Sequence, residues 1–383
     1  MTHWLEGLRR RHQPDEALSL IMPRLSEFGI TRLAQQTNLD IIGIPCYAAI
    51  RPNSQTLSVH QGKGTTNATA KLSAIMEAVE FAVGERPQAP WVRASREDLT
   101  RDSRAFHWPD RQLPRGFECA ADTQIQWLYG YRIGSRNPVL VPLDSVAIAP
   151  NAPEKLPFAQ SSNGLAAGFG EAEAISHGFF EVLERDASTL WALRSLNHCA
   201  KSALDLSSLD DACILATLKR FRAAEIEVLV FDLTTDLGVP TMMALLWSGT
   251  PALFFDIASG VCTHPSPVRA LLGALEEAAQ TRISDIAGAR DDIEPGDYSK
   301  PLPDWLPKLI AKVHPKRGLP PAMSENELAR LPNILGDSPI VVPLSAPNAD
   351  ISVVKVLSAK LEDRPTNVHW RPGARAIKAM TAL

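Results

Sequence analysis

Cysteine is scarce in this 383-residue chain: Cys46, Cys119, Cys199, Cys213 and Cys262, with no C-x-x-C pair. An odd number of scattered thiols argues against a disulfide framework and against a zinc ribbon. The nine histidines are equally dispersed, and none shows H-E-x-x-H or H-x-E spacing. His264, two residues after Cys262, reads as a loop histidine ahead of Pro265 before it reads as a ligand. Charge of one sign does not dominate either. Lys plus Arg total 39 and Asp plus Glu 43, a net of −4, so the footprint of a dedicated nucleic-acid binder is missing. Long apolar runs are absent: residues 40–50 are among the longest and fall short of the ~20 a membrane helix needs. After Arg9-Arg10-Arg11 comes His-Gln-Pro-Asp-Glu and no apolar signal core. The cytoplasm is the expected compartment.

What is present is a foldable chain, 45% hydrophobic and 21% charged, long enough for a substantial core. Apolar periodicity predicts helices over 15–28, 67–84, 171–194 and 267–288. Strands are predicted over 41–50, 126–133, 138–149, 226–233, 241–247, 252–258 and 351–357. Residues 87–118, polar and Pro-bearing, read as a surface excursion. The Pro-rich stretch 295–347 reads as an irregular wrap with short helices near Trp305 and Glu325. The fold class is α+β, mixed sheets with packed helices. It divides into an N-terminal helix and strand region (1–60), a core (61–290), and a Pro-rich segment with the last strand and tail (291–383).

Two of the helices carry acidic faces. On 67–84, Leu72, Ile75, Met76, Val79 and Val83 form an apolar stripe, while Ser73, Glu77 and Glu80 share another. Ahead of it lies Gln61-Gly-Lys-Gly64, read as a glycine turn whose free N–H groups and Lys63 suit an anion. On 171–194, Glu173, His177, Glu181, Glu184 and Ser188 make one continuous face behind Ser162-Asn-Gly-Leu-Ala-Ala-Gly168. Aligning Glu77 with Glu181 also aligns Glu80 with Glu184, Gly64 with Gly168, Ala70 with Ala174 and Ser73 with His177, without a gap. That pattern reads as a duplicated Gly-turn-helix unit around one site. Carboxylates converging from two helices repel unless cations neutralise them, and hard oxygen donors select Mg²⁺, which bridges to phosphates. Arg185 then faces a phosphate oxygen. The rival account is a solvated helix surface, because Glu is a good helix former. A third helix, 267–288, sets Glu277, Gln280 and Ser284 on one face with Arg282 nearby, which core packing explains equally well.

Taken together, these stretches resemble the YcaO superfamily. The likeness rests on Ser162–Gly168, Glu181-Val-Leu-Glu-Arg-Asp-Ala187, Gly29-Ile-Thr-Arg32, Leu39–Pro45, Gln61–Gly64, Ser73-x-x-x-Glu77-x-x-Glu80, Asp232–Pro240 and Glu277-Ala-Ala-Gln-Thr-Arg282. It runs over about 29–290, with a weaker echo at Val353-Val-Lys-Val-Leu357. The resemblance implies a nucleotide held between duplicated halves and a use for it. A nucleophile adds to a peptide amide carbon, the resulting oxyanion takes the γ-phosphoryl group of ATP, and phosphate departs. Carried over by position, Glu77, Glu80, Glu173, Glu181 and Glu184 are expected at Mg²⁺, with Lys63 and Arg185 at phosphate. Ser73 and Asn163 are expected in the nucleotide pocket, and Arg185, Glu277, Gln280 and Arg282 among the catalytic residues.

Some positions depart from the family. Phe169 stands where a polar loop residue is common, Phe81 where an Arg is, and Ser358–Glu362 lacks the usual Pro-Gly. Residues 371–383 lack the Pro-x-Pro-x-Pro ending of azoline-forming members and look more like members paired with a TfuA-type protein, several of which make thioamides. The expected partners are therefore a peptide substrate and a TfuA-like or leader-binding protein. Neither nucleic acid nor membrane is expected, and a homodimer stays open. The alternative from another class is a non-catalytic ATP-binding accessory factor for a ribosomal-protein modification enzyme.

Overall fold

Three antiparallel sheets organise the computed structural model, which describes residues 3–148, 155–364 and 367–381. Strands β1 (Arg32–Gln35), β2 (Cys46–Ile50) and β3 (Val59–Lys63) form the first, in that order. The second holds β4 (Trp91–Ala94), β5 (Ile125–Arg132), β6 (Pro138–Pro142), β7 (Leu165–Gly168), β11 (Ile340–Pro343) and β12 (Ser352–Leu357). Its order is β4-β5-β11-β12-β7, with β6 also paired to β5. The third is β10-β9-β8, from β8 (Glu227–Asp232), β9 (Thr241–Trp247) and β10 (Ile257–Thr263). The helices are α1 (Pro14–Ile21), α2 (Asn67–Glu85), α3 (Arg96–Arg101), α4 (Glu171–Ala192), α5 (Leu196–Lys201), α6 (Ala212–Ala223), α7 (Pro267–Ala287), α8 (Trp305–Lys312), α9 (Glu325–Ile334) and α10 (Ala374–Thr381).

Strands β3, β7 and β10 are each an edge of their sheet, and each runs directly into a long helix: α2, α4 and α7. The duplication read from the sequence is thus one of three strand-turn-helix units. In each unit a helix side chain bonds its own strand or the turn leading into it. Glu77 accepts from Gln61 N at 3.1 Å, Glu181 accepts from Gly164 N at 3.0 Å, and Thr281 donates to Ser259 O at 2.9 Å. One turn further along, each helix reaches the next unit. Glu80 accepts from Ala167 N at 2.9 Å, Glu184 accepts from Thr263 N at 3.1 Å, and the Ser284 hydroxyl donates to the Gln61 side chain. The units therefore close into a ring: α2 packs also on β7, α4 on β10 and α7 on β3. An edge strand offers unpaired amides, and here two of them are met by carboxylates of the preceding helix.

Close approach of strand and helix depends on small residues. A Cβ on Gly62 would lie 2.0 Å from Ala74 N, and one on Gly260 would lie 2.3 Å from Ala278 N. Only glycine fits at either place. The opposite faces of the helices bury the core. Ile75 and Val79 of α2 pack with Leu165, Val342 and Val353; Phe179 and Leu183 of α4 with Trp4, Val341 and Val354; Leu271 and Leu275 of α7 with Met242 and Leu246.

The long helices fall within two residues of their expected ends, but several other elements differ. The helix expected over 15–28 stops at Ile21 and continues as a 3-10 turn, Met22–Phe28, because Pro23 cannot donate and crowds the preceding turn. The strand expected over 41–50 begins only at Cys46, after Gly43 at φ 73°. That expected over 138–149 ends at Pro142 in a 3-10 turn; Ala149 lies outside the described residues. In place of a strand over 252–258, Phe254–Asp256 forms a 3-10 turn with Asp256 accepting from Ala252 N and Leu253 N, and the strand runs over 257–263. Gln61–Gly64 and Ser162–Gly168, read as glycine turns, are largely strands. The excursion 87–118 contributes β4, and the Pro-rich stretch contains β11, buried in the middle of the second sheet.

Candidate functional site

The ring turns one face of each long helix inward. Ser73, His177 and Glu277 correspond to one another; so do Glu77, Glu181 and Thr281, and then Glu80, Glu184 and Ser284. Glu80 feels the charges of Glu181 and Glu77, Glu184 those of Glu277 and Glu181, and Glu77 that of Glu277. The carboxylates are therefore one electrostatic cluster. Lys63 Nζ donates to Glu277 at 2.6 Å, joining the first unit to the third. Arg185 lies 3.4 Å from Glu181 and 4.0 Å from Glu184, and its Nε is buried without a partner among the described residues.

Burial is the main influence on these acids. It lifts Glu77 to about 7, and together with the charge of Glu277 it lifts Glu184 to about 8. Glu80 is pushed well above the carboxylate range and Glu181 upward, although Arg185 opposes the shift at Glu181. Burial alone would lower Lys63, but the charge and hydrogen bond of Glu277 hold it above the usual lysine value. An interior whose carboxylates retain protons near neutrality is short of positive charge. Oxygen-only donors suit Mg²⁺. No three acidic, thiol or imidazole side chains among the described residues already close around one point.

Several expected residues stand apart. Ser73 is half-buried on the inward face of α2. Glu173 lies two turns up α4, accepts from Phe169 N at 3.2 Å and faces Arg10 and His12. The Gln280 carbonyl accepts from Ser284, while its side chain is half-buried. Arg282 pairs with buried Asp40 at 3.1 Å and so clamps the loop ahead of β2. Asn163 borders a cavity on the far side of Glu181. The departures also have local explanations: Phe169 meets the His12 ring edge-to-face at 5.4 Å, and Phe81 packs at a tilt on His60 at 4.8 Å. His264 is satisfied in its loop, where Nδ1 accepts from Ser266 N at 2.9 Å.

The sequence model described as YcaO cyclodehydratase, ATP- and Mg²⁺-binding, matches residues 61–362. The chain belongs to the YcaO family. A relative from Rhizobium leguminosarum bv. trifolii, an uncharacterized protein in the tfuA 3′ region, is 34% identical over 389 residues, covering 96% of this chain and 92% of that one. The fold of a YcaO from Methanopyrus kandleri bound with AMPPCP and Mg²⁺ superposes with TM-score 0.71 at 22% identity, covering 96% of both chains. A heterocyclase in complex with substrate and cofactor superposes with TM-score 0.73 at 21% identity; the match covers 96% of this chain but 56% of that one. The present protein is accordingly an ATP- and Mg²⁺-binding YcaO protein.

Residues that motif reading passed over also face this YcaO site. Glu276 and Cys262 lie near Lys63, Arg290 near Glu77, and Arg10 near Glu173, His177 and Glu276. Lys355, a lone charge inside the Val-rich β12, faces Glu181. That isolated lysine was the one clear signal available in the sequence. A pH-linked outcome follows from the raised acids. At pH 7 Glu184 is mostly protonated and Glu77 about half so; a cation held by both would displace those protons, so Mg²⁺–nucleotide binding should release about one to two protons. Calorimetry in buffers of different ionisation enthalpy counts them. Uptake of protons, or none exchanged, would contradict a metal role for these two side chains.

Proposed function

We propose that this YcaO protein activates a peptide-backbone amide by phosphorylating the amide oxygen with ATP, and that its product is a thioamide. The observation that carries this reading is the cation-poor ring interior, where Glu77, Glu80, Glu181 and Glu184 from two helices meet Lys63 and Arg185. These four carboxylates are the groups that would hold Mg²⁺, which supplies charge neutralisation at the triphosphate. Lys63 and Arg185 bind and orient phosphate oxygens; the Nε–H of Arg185, without a partner among the described residues, is a donor such an oxygen would satisfy. An amide oxygen is a poor leaving group, and its phosphate ester a good one. Catalysis on this view is positioning and electrostatics.

The position of a relative in a tfuA 3′ region supports a TfuA-type protein as partner, and the likeness to TfuA-paired family members makes thioamide formation the preferred reading over cyclodehydration; the cytoplasm is the proposed compartment. No helix among the described residues is long and apolar enough to cross a membrane. The test is to combine the protein, ATP, Mg²⁺, a sulfide source and a TfuA-type protein with short peptides encoded beside its gene. Replacing O by S adds about 16 Da, whereas cyclodehydration removes about 18 Da. With ¹⁸O in the amide, label appears in phosphate. Unlabelled phosphate with an unmodified peptide would point to the accessory reading.

A further inference from the structure

We propose that the cavity beside Glu181 holds the peptide group that is to be activated, gripped by Lys355 and Asn163. The inference rests on the amide-activating role above and names its substrate site. The cavity measures about 260 Å³. It lies between the loop 107–112 and the chain leaving β12, residues 357–363, with Asn163 and Val182 also on its lining. That outer wall is held firmly. Glu362 is fully buried, bonded by Arg111, by Trp370 Nε1 at 3.1 Å and by Ala376 N at 3.2 Å.

Two polar groups on the lining are incompletely used. Asn163 Oδ1 is buried and has no hydrogen-bond partner among the described residues. Lys355 is buried within β12, and its ammonium, with three N–H donors, has one hydrogen-bond acceptor among the described residues, the Ser161 carbonyl. An orphan acceptor and spare cationic donors on one cavity complement the N–H and C=O of a peptide group. Trp108, Val182, Leu357 and Leu361 supply apolar lining for the atoms on either side. Glu181 connects this pocket to the ring, facing Lys355 on one side and Arg185 on the other. Burial draws Lys355 down to about 8, with Glu181 and Asp363 opposing that shift.

In the reaction a nucleophile bonds to the amide carbon and the C=O electron pair moves to oxygen. That oxygen bonds to the γ-phosphorus as the bond to ADP breaks. Lys355 keeps its proton throughout, and its attraction for the oxygen grows as negative charge develops there.

N-acetylglycine N′-methylamide, a minimal peptide unit, is the probe. Its binding to the full chain is followed by saturation-transfer NMR, with and without Mg²⁺ and AMPPCP. The wild type should bind it, Lys355→Met and Asn163→Ala should each weaken it at least about tenfold, and Lys355→Arg should restore much of the loss. Should Lys355→Met fail to fold, Asn163→Ala carries the same expectation. Absence of probe binding, equal affinity across the variants, or a tenfold loss of AMPPCP affinity in Lys355→Met would overturn the assignment. A wild type that takes the probe but no Mg²⁺–nucleotide would instead sink the proposed function while leaving this pocket standing.

Discussion

Glu184→Gln should yield a protein that melts at a higher temperature yet binds Mg²⁺–nucleotide at least about a hundredfold more weakly. The two effects have opposite sign and one cause. In the folded chain burial and the neighbouring Glu277 and Glu181 charges raise Glu184 to about 8, above the 4.5 of a free carboxyl. The folded state thus holds a proton that the unfolded chain gives up. Between pH 4.5 and 8 this group makes folding progressively less favourable, and above 8 the full penalty applies. Glutamine removes the charge but keeps an oxygen to accept from Thr263 N, now 3.1 Å from the carboxylate. The gain in stability should be on the order of a few kcal/mol at pH 8 and should vanish below about pH 5. Glu181→Gln should behave alike, with a smaller gain because Arg185 already offsets part of that charge. Thermal melts across pH, with calorimetric titration of Mg²⁺–AMPPCP, decide it. A destabilised variant that binds normally would remove Glu184 from the site.

The other large effect is structural. Gly62→Ala sets a methyl 2.0 Å from Ala74 N and 2.3 Å from Ala70 O, both backbone atoms of α2. A side chain in the way can rotate; a helix backbone has to move as a body. The loss should reach about 3 kcal/mol or more, a drop of roughly 4 °C or more in Tm for a chain of this length. Gly296→Ala is the control, since nothing lies within 4 Å of its added carbon and its φ is not in the left-handed region. Equal melting temperatures for the two variants would mean that the strand does not sit this close to α2.

Period and motif carried the reading of the long helices because their apolar stripes are unbroken. They failed where local chemistry and tertiary context disagree. Gly62 and Gly64 in and after β3, and the Leu-Ala-Ala-Gly of β7, read as turns; these are strands, and their small residues let α2 and α4 press against them. β11 lay in a stretch coloured by proline, yet Ile340, Val341 and Val342 are buried between two neighbouring strands. The third helix shows a polar face in the sequence but does not read as a further copy of the unit, because Thr281 and Ser284 occupy the places of Glu77 and Glu80. Polar but uncharged, they keep the hydrogen bonds and lose the acidic signature. For the site, helical spacing puts Glu77 with Glu80 and Glu181 with Glu184, and a lone lysine inside Val-rich β12 marks Lys355, whereas nothing along the chain announces that Arg282 turns to Asp40.

The closed ring has a bearing on how such a protein could ever be divided. Residue 80 steadies residue 167, residue 184 steadies 263, and residue 284 returns to 61. Any cut that parts these three segments leaves one acidic arm reaching for an amide that is no longer there. Half a gene, however well it expressed, would inherit the carboxylates without the enclosure that gives them their unusual appetite for protons.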